Sequence, residues 1–220
     1  MKKSLIYTIC MFVISVVYTV LVKIVDVSSI GPEGSSVGFS TINGAVFNLT
    51  GYNDIWYNFS KLLGFFTFAT VGFFVFFGVY QLQKRKSLKL VDKDLYVLGI
   101  FYAAVAIVYV LFEKVVINYR PVILDEGLEP SFPSTHTILA VCVMTTAAMQ
   151  FSARIKDEKK RKQAVIICMA IMIAIIIGRI LAGCHWLTDI VGGILISSVL
   201  ILAYNTGILY VKEKEKTADI

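Results

Sequence analysis

Charge and histidine are scarce in this chain. Of its 220 residues only two are histidine and 16% are charged, whereas 57% are apolar and the mean hydropathy is +0.77. That balance excludes an ordinary soluble domain, whose surface would need more ionic groups. The four cysteines form no C-x-x-C pair and no zinc-ligand spacing. Cys10, Cys142 and Cys168 fall inside apolar blocks as small hydrophobes, and Cys184 is read as a packing residue as well. No stretch alternates with period two between turn signals, which excludes a membrane barrel, and no internal repeat or second domain is visible.

What the chain does have is apolar blocks of about 20 residues, the length a helix needs to cross a bilayer core. There are six, at Leu5–Ile24, Leu62–Leu82, Tyr96–Phe112, Thr135–Phe151, Ala164–Leu181 and Ile190–Val211. The expectation is an all-α integral membrane bundle of six transmembrane helices forming one domain over 1–220, with the lipid bilayer as its partner. The first block is longer than a signal-peptide core and lacks an A-x-A site, so it is read as a retained helix.

The net charge of +6 does not imply a nucleic-acid partner, because the basic residues alternate between loops. Lys2 and Lys3, the group from Lys84 to Lys93, that from Arg154 to Lys162, and Lys212, Lys214 and Lys216 occupy every second connection. By the positive-inside rule both termini and those loops are cytoplasmic. Five basic residues remain: Lys23 and Lys61, read as snorkelling at helix ends, and Lys114, Arg120 and Arg179, which fall on the outer side with both histidines. The segment from Val25 to Ser60 reads as a long outer loop, and Asp125, Glu126 and Glu129 as a solvated one, with repulsion of unsuitable anions or binding of a site arginine as the alternatives.

Three short segments carry the outer constellation: "KVVINYRP" at 114–121, "PSTH" at 133–136 and "GRILAGCHWLTD" at 178–189. Lysine and arginine supply charge-assisted donors to an oxyanion. Pro133 with Ser134 or Thr135 marks a helix start, whose free N–H groups and dipole favour an anion, and His136 sits in that first turn. His185 and Asp189 are four apart, so a helix beginning near Trp186 puts both on one face. The carboxylate can then fix the imidazole tautomer and leave the other nitrogen free to attack. Trp186 itself can contact a lipid or pack at the interface.

These segments resemble, in order, the three signatures of the type 2 phosphatidic acid phosphatase (PAP2) family, K-x6-R-P, P-S-G-H and S-R-x5-H-x3-D, in its integral-membrane lipid phosphatase branch. The resemblance implies a site at the outer face with His185 as nucleophile, Asp189 orienting it and His136 as general acid and then base. It implies that Lys114, Arg120, Ser134, Thr135 and Arg179 hold phosphate, with no metal or other cofactor. Three positions depart from the pattern: Lys114 and Arg120 are one residue too close, Thr135 replaces glycine, and Gly178 replaces serine. The implied activity is hydrolysis of a membrane lipid phosphate through a phosphohistidine, on polyprenyl diphosphate, phosphatidylglycerol phosphate or phosphatidate. A lipid phosphotransferase and a noncatalytic lipid-phosphate binding or transport protein are the alternatives.

Overall fold

A computed structural model describes residues 2–124 and 127–218. Seven α-helices follow one another: α1 (Lys2–Ile24), α2 (Ser40–Thr50), α3 (Asp54–Arg85), α4 (Lys93–Lys114), α5 (Thr135–Arg154), α6 (Glu158–Leu181) and α7 (Leu187–Ala218). No strand occurs among the described residues beyond two isolated bridges, Ser28 with Val37 and Tyr119 with Pro130. Six helices, all except α2, are long and apolar enough to cross a membrane, one for each apolar block. The chain is a multi-pass membrane protein. Of the acidic loop, Asp125 and Glu126 lie outside the described residues.

The packing has an axis. In α5, 61% of the apolar window is buried, against 11% in α1 and in α3, so α5 is enclosed and its neighbours face lipid. Ile138, Cys142, Val143, Met144 and Ala147 of α5 pack on Phe74 of α3, Leu98, Phe101 and Val105 of α4 and Tyr204 of α7. Phe65, Phe76, Ile100 and Ile107 point away from that core, fully compatible with hydrocarbon as their solvent.

Helices that gain nothing by leaving water associate where backbones can approach closely. Gly192 and Gly193 provide such a place on α7. A Cβ on Gly192 would lie 2.4 Å from the Phe132 ring, and one on Gly193 would lie 3.0 Å from the Ser134 carbonyl oxygen. Without side chains there, the turn leading into α5 seats directly on the first turns of α7, and the two histidine segments become neighbours.

Segment 25–60 is more ordered than a loop. Asp26 caps α2 from a distance, its Oδ2 accepting from Thr41 N at 2.8 Å and its Oδ1 from Ser40 Oγ at 3.0 Å. Those two bonds, the Thr41 amide first, lower its carboxyl pKa. Asn43 of α2 then joins α7, with Nδ2 donating to Thr188 Oγ1 at 2.9 Å and Oδ1 accepting from Thr188 N at 3.2 Å. Asn53 caps α3 by accepting from Ile55 N and Trp56 N, so α3 starts well before the apolar block it contains.

The opposite end of the bundle carries the basic clusters and a polar clamp. Arg154 donates from Nη1 and Nη2 to the two Asp94 carboxylate oxygens at 2.8 and 2.9 Å, and Gln150 Nε2 donates to Tyr204 Oη at 2.6 Å. Arg154 therefore ties α5 to α4.

Candidate active site

Four hydrogen bonds assemble the site. Arg120 N donates to Glu129 O and Ser131 N to Asn118 O, laying 118–120 against 129–131. Trp186 Nε1 donates to Tyr119 O at 2.7 Å, and Ser134 N to Asp189 O at 3.0 Å. The segments after α4, before α5 and before α7 thus meet at one end of the bundle.

His185 is buried between α6 and α7. Its Nδ1 lies 3.1 Å from Ser131 O and its Nε2 3.3 Å from Arg120 Nη1, so the consistent tautomer donates from Nδ1 and carries its lone pair on Nε2. Burial, then Arg120, Arg179 and His136, hold this imidazole well below its ordinary pKa of 6.5. It is a neutral base with its lone pair directed at a guanidinium.

The direct bond expected from His185 to Asp189 does not form. Asp189 Oδ2 is 3.6 Å from Nδ1 and instead accepts from Trp186 N at 2.9 Å. Asp189 is the third residue of α7, and a carboxylate there reaches back to the residue preceding the helix, as in a capping box. Its carboxyl group still lies against the imidazole, but the hydrogen bond that sets the tautomer goes to Ser131 O.

Arg179, at the end of α6, is 1% exposed and its Nε and Nη1 are unpartnered. Its guanidinium carbon lies 5.2 Å from the Tyr57 ring centre. His136, in the first turn of α5, has a buried, unpartnered Nδ1. Ser134 is the N-cap, its Oγ accepting from Thr137 N at 3.4 Å. A buried guanidinium without a carboxylate is costly, and donors left unpaired beside two imidazoles are the complement of an oxyanion.

A cavity of about 220 Å³ opens onto His185. Of the residues singled out in the sequence, Arg120, Glu129, Pro133, Thr135 and His185 line it, while Ser134, His136, Arg179 and Asp189 are not part of its lining. Nor is Lys114; it ends α4 exposed, and Glu113 lines the cavity in its stead. Glu129 takes the alternative of binding an arginine of the site instead of a solvated role, with Oε2 2.7 Å from Arg120 Nε. Cys184 is fully buried, and burial raises its thiol pKa, so it is a packing residue.

Sequence reasoning missed the contribution of α3. Tyr57, Ser60 and Gly64 fall at helical spacing on one face. Tyr57 stacks on Arg179, Ser60 lies beneath Gly178, and a Cβ on Gly64 would be 3.7 Å from His136 Cδ2. Small and polar residues at positions 60, 64 and 67, interrupting an apolar run, were the available signal.

Residues 116–212 match the PAP2 superfamily. That range holds Arg120, both histidines, Arg179 and Asp189, and begins two residues after Lys114, so the resemblance carried by the three segments is met independently. The PAP2 match is joined by a likeness of fold. The crystal structure of a transmembrane PAP2-type phosphatidylglycerolphosphate phosphatase from Bacillus subtilis aligns with a TM-score of 0.59 at 18% identity, over 90% of this chain and 94% of that one. No curated protein matches in sequence.

Proposed function

We propose that this protein is a membrane lipid phosphate phosphatase working through a phosphohistidine at the extracytoplasmic face. The observation that carries the reading is the buried, unpaired Arg179 beside His136 and the neutral His185. The PAP2 match supports the phosphatase class, and the fold shared with an enzyme acting on phosphatidylglycerolphosphate supports a lipid substrate. The placement of the basic clusters at the other end of the bundle favours a site facing away from the cytosol.

The phosphate enters beside Arg120, Arg179 and the first turn of α5. Arg120 exchanges the His185 lone pair for a phosphate oxygen, which frees Nε2. Nε2 then attacks phosphorus while the bond to the lipid oxygen breaks, and His136 delivers its proton to that oxygen. The phosphoimidazole is cationic, and Asp189 lies against it. Neutral His136 next takes a proton from water as the water oxygen attacks phosphorus, breaking the P–N bond. Inorganic phosphate leaves and His185 is restored.

The test is phosphate release by purified protein in detergent with chelator, from phosphatidate, phosphatidylglycerol phosphate and a polyprenyl diphosphate. The wild type should release phosphate from at least one, and His185→Ala from none. Equal release by the variant, or none by the wild type from any lipid, contradicts the reading.

A further inference from the structure

Lys114 was the expected third cation of the site, yet it is exposed and outside the cavity. Arg120 meanwhile has its Nε charge matched by Glu129 at 2.7 Å, and a second carboxylate, Glu113, lines the same cavity. On that side the charge is balanced. A phosphorylated substrate must draw the rest of its compensation from elsewhere.

The helix α3 supplies a candidate. Lys61 was read as a residue at a helix end, but α3 begins at Asp54, so Lys61 stands about two turns inside it. It shares a face with Tyr57, four residues before, and Gly64, three residues after. Gly64 is the residue whose added Cβ would touch His136 at 3.7 Å. Lys61 Nζ lies 5.8 Å from the centre of the Tyr57 ring, and the same ring carries the Arg179 guanidinium at 5.2 Å. Two cations therefore gather on Tyr57, one buried and unpartnered, the other exposed.

The position relative to the histidines gives the role. Gly64, one turn on from Lys61, faces the His136 ring, whereas His185 is contacted by Arg120 and Ser131 O. Lys61 is thus on the side of the general acid and away from the nucleophile. In an in-line displacement that is the side of the leaving group. Resting on the proposed phosphatase reading, we infer that Lys61 binds the phosphate of a phosphorylated leaving group, making this site selective for lipid diphosphates over lipid monophosphates. In a diphosphate the terminal phosphorus is attacked, the P–O bond to the bridging oxygen breaks, and the lipid monophosphate departs with the proton from His136. Its own phosphate then lies against Lys61. A monophosphate leaves a lipid hydroxyl, which has no use for an ammonium group.

The experiment compares farnesyl diphosphate and farnesyl monophosphate, which share one tail, as substrates of the full-length protein in detergent with chelator. The wild type should prefer the diphosphate in kcat/KM. Lys61→Gln should lower kcat/KM for the diphosphate about tenfold or more, as loss of a charge-assisted bond to phosphate implies, and for the monophosphate less than about threefold. Lys61→Arg should retain the preference. As a second readout, Lys61→Gln should weaken inhibition by methylenediphosphonate and leave inhibition by orthovanadate unchanged. An equal loss on both substrates, or no loss on the diphosphate, overturns the inference. Release that survives His185→Ala overturns instead the phosphatase reading on which it rests.

Discussion

Arg120 Nη1 stands 3.3 Å from His185 Nε2, the nitrogen that would attack phosphorus. The same guanidinium is held by Cys184 O at 3.3 Å and by Glu129 at 2.7 Å, so its orientation is fixed from three directions. This contact keeps the imidazole neutral, and an arriving phosphate gives Arg120 a better partner. Binding and release of the nucleophile are then one event.

The pH dependence follows from that contact. In the proposed mechanism His185 attacks only as the neutral base, and burial with Arg120 and Arg179 holds its pKa well below 6.5. The acidic limb of kcat/KM that reports this group should lie below pH 6.5. Removing the Arg120 charge raises the proton affinity of the imidazole, so Arg120→Gln should move the limb upward. The unfolded chain binds this proton near 6.5 and the folded one does not, so the stability tied to neutral His185 is present above 6.5 and declines as pH falls below it. An acidic limb that stays in place in the variant contradicts the assignment.

Asp189 has two separable duties, a cap for Trp186 N at 2.9 Å and a charge 3.6 Å from His185. Asparagine keeps an oxygen for the cap and loses the charge. Asp189→Asn should therefore lower kcat about 10²-fold or more with little change in melting temperature, while Asp189→Ala should lower both. Equal melting losses in the two variants would make the residue purely structural.

Lys114→Gln should leave kcat/KM within about threefold of wild type, since Glu113 and not Lys114 lines the cavity beside Arg120. Arg120→Gln should cost about 10²-fold, the loss of a buried charge-assisted donor to a developing oxyanion. A steady-state comparison at one pH and one lipid decides the matter, and a large Lys114 effect would return that lysine to the site.

Six helices were legible because block length and composition fix a span without reference to neighbours. The helix α2 was not, because its 11 residues depend on a remote cap from Asp26 and on the Asn43–Thr188 pair. Arg120, His136, Arg179, His185 and Asp189 were singled out through the spacing of three short segments, which the structure brings to one end of the bundle. Lys114 was uncertain for a physical reason: which side chain faces the cavity depends on where α4 ends, and one residue of register exchanges Lys114 for Glu113. Lys61 was misread because the polar opening turns of α3 do not look like part of a membrane helix.

Gly183 closes the turn before the nucleophile at φ +59, where an added Cβ would lie 1.8 Å from Gly51 O. Gly183→Ala should therefore destabilise the protein by about 3 kcal/mol or more, read as a fall in melting temperature in detergent. An unchanged melting temperature would show that the turn can shift freely against segment 25–60.

The central claim is that His185 Nε2 takes the phosphoryl group. Protein mixed with a lipid carrying labelled terminal phosphate and quenched in alkali within the first turnover should hold label that acid removes, and peptide mapping should locate it on His185. His136→Ala, slowed in the second step, should retain more of it. Turnover without any bound label, or label that persists in His185→Ala, would contradict the account.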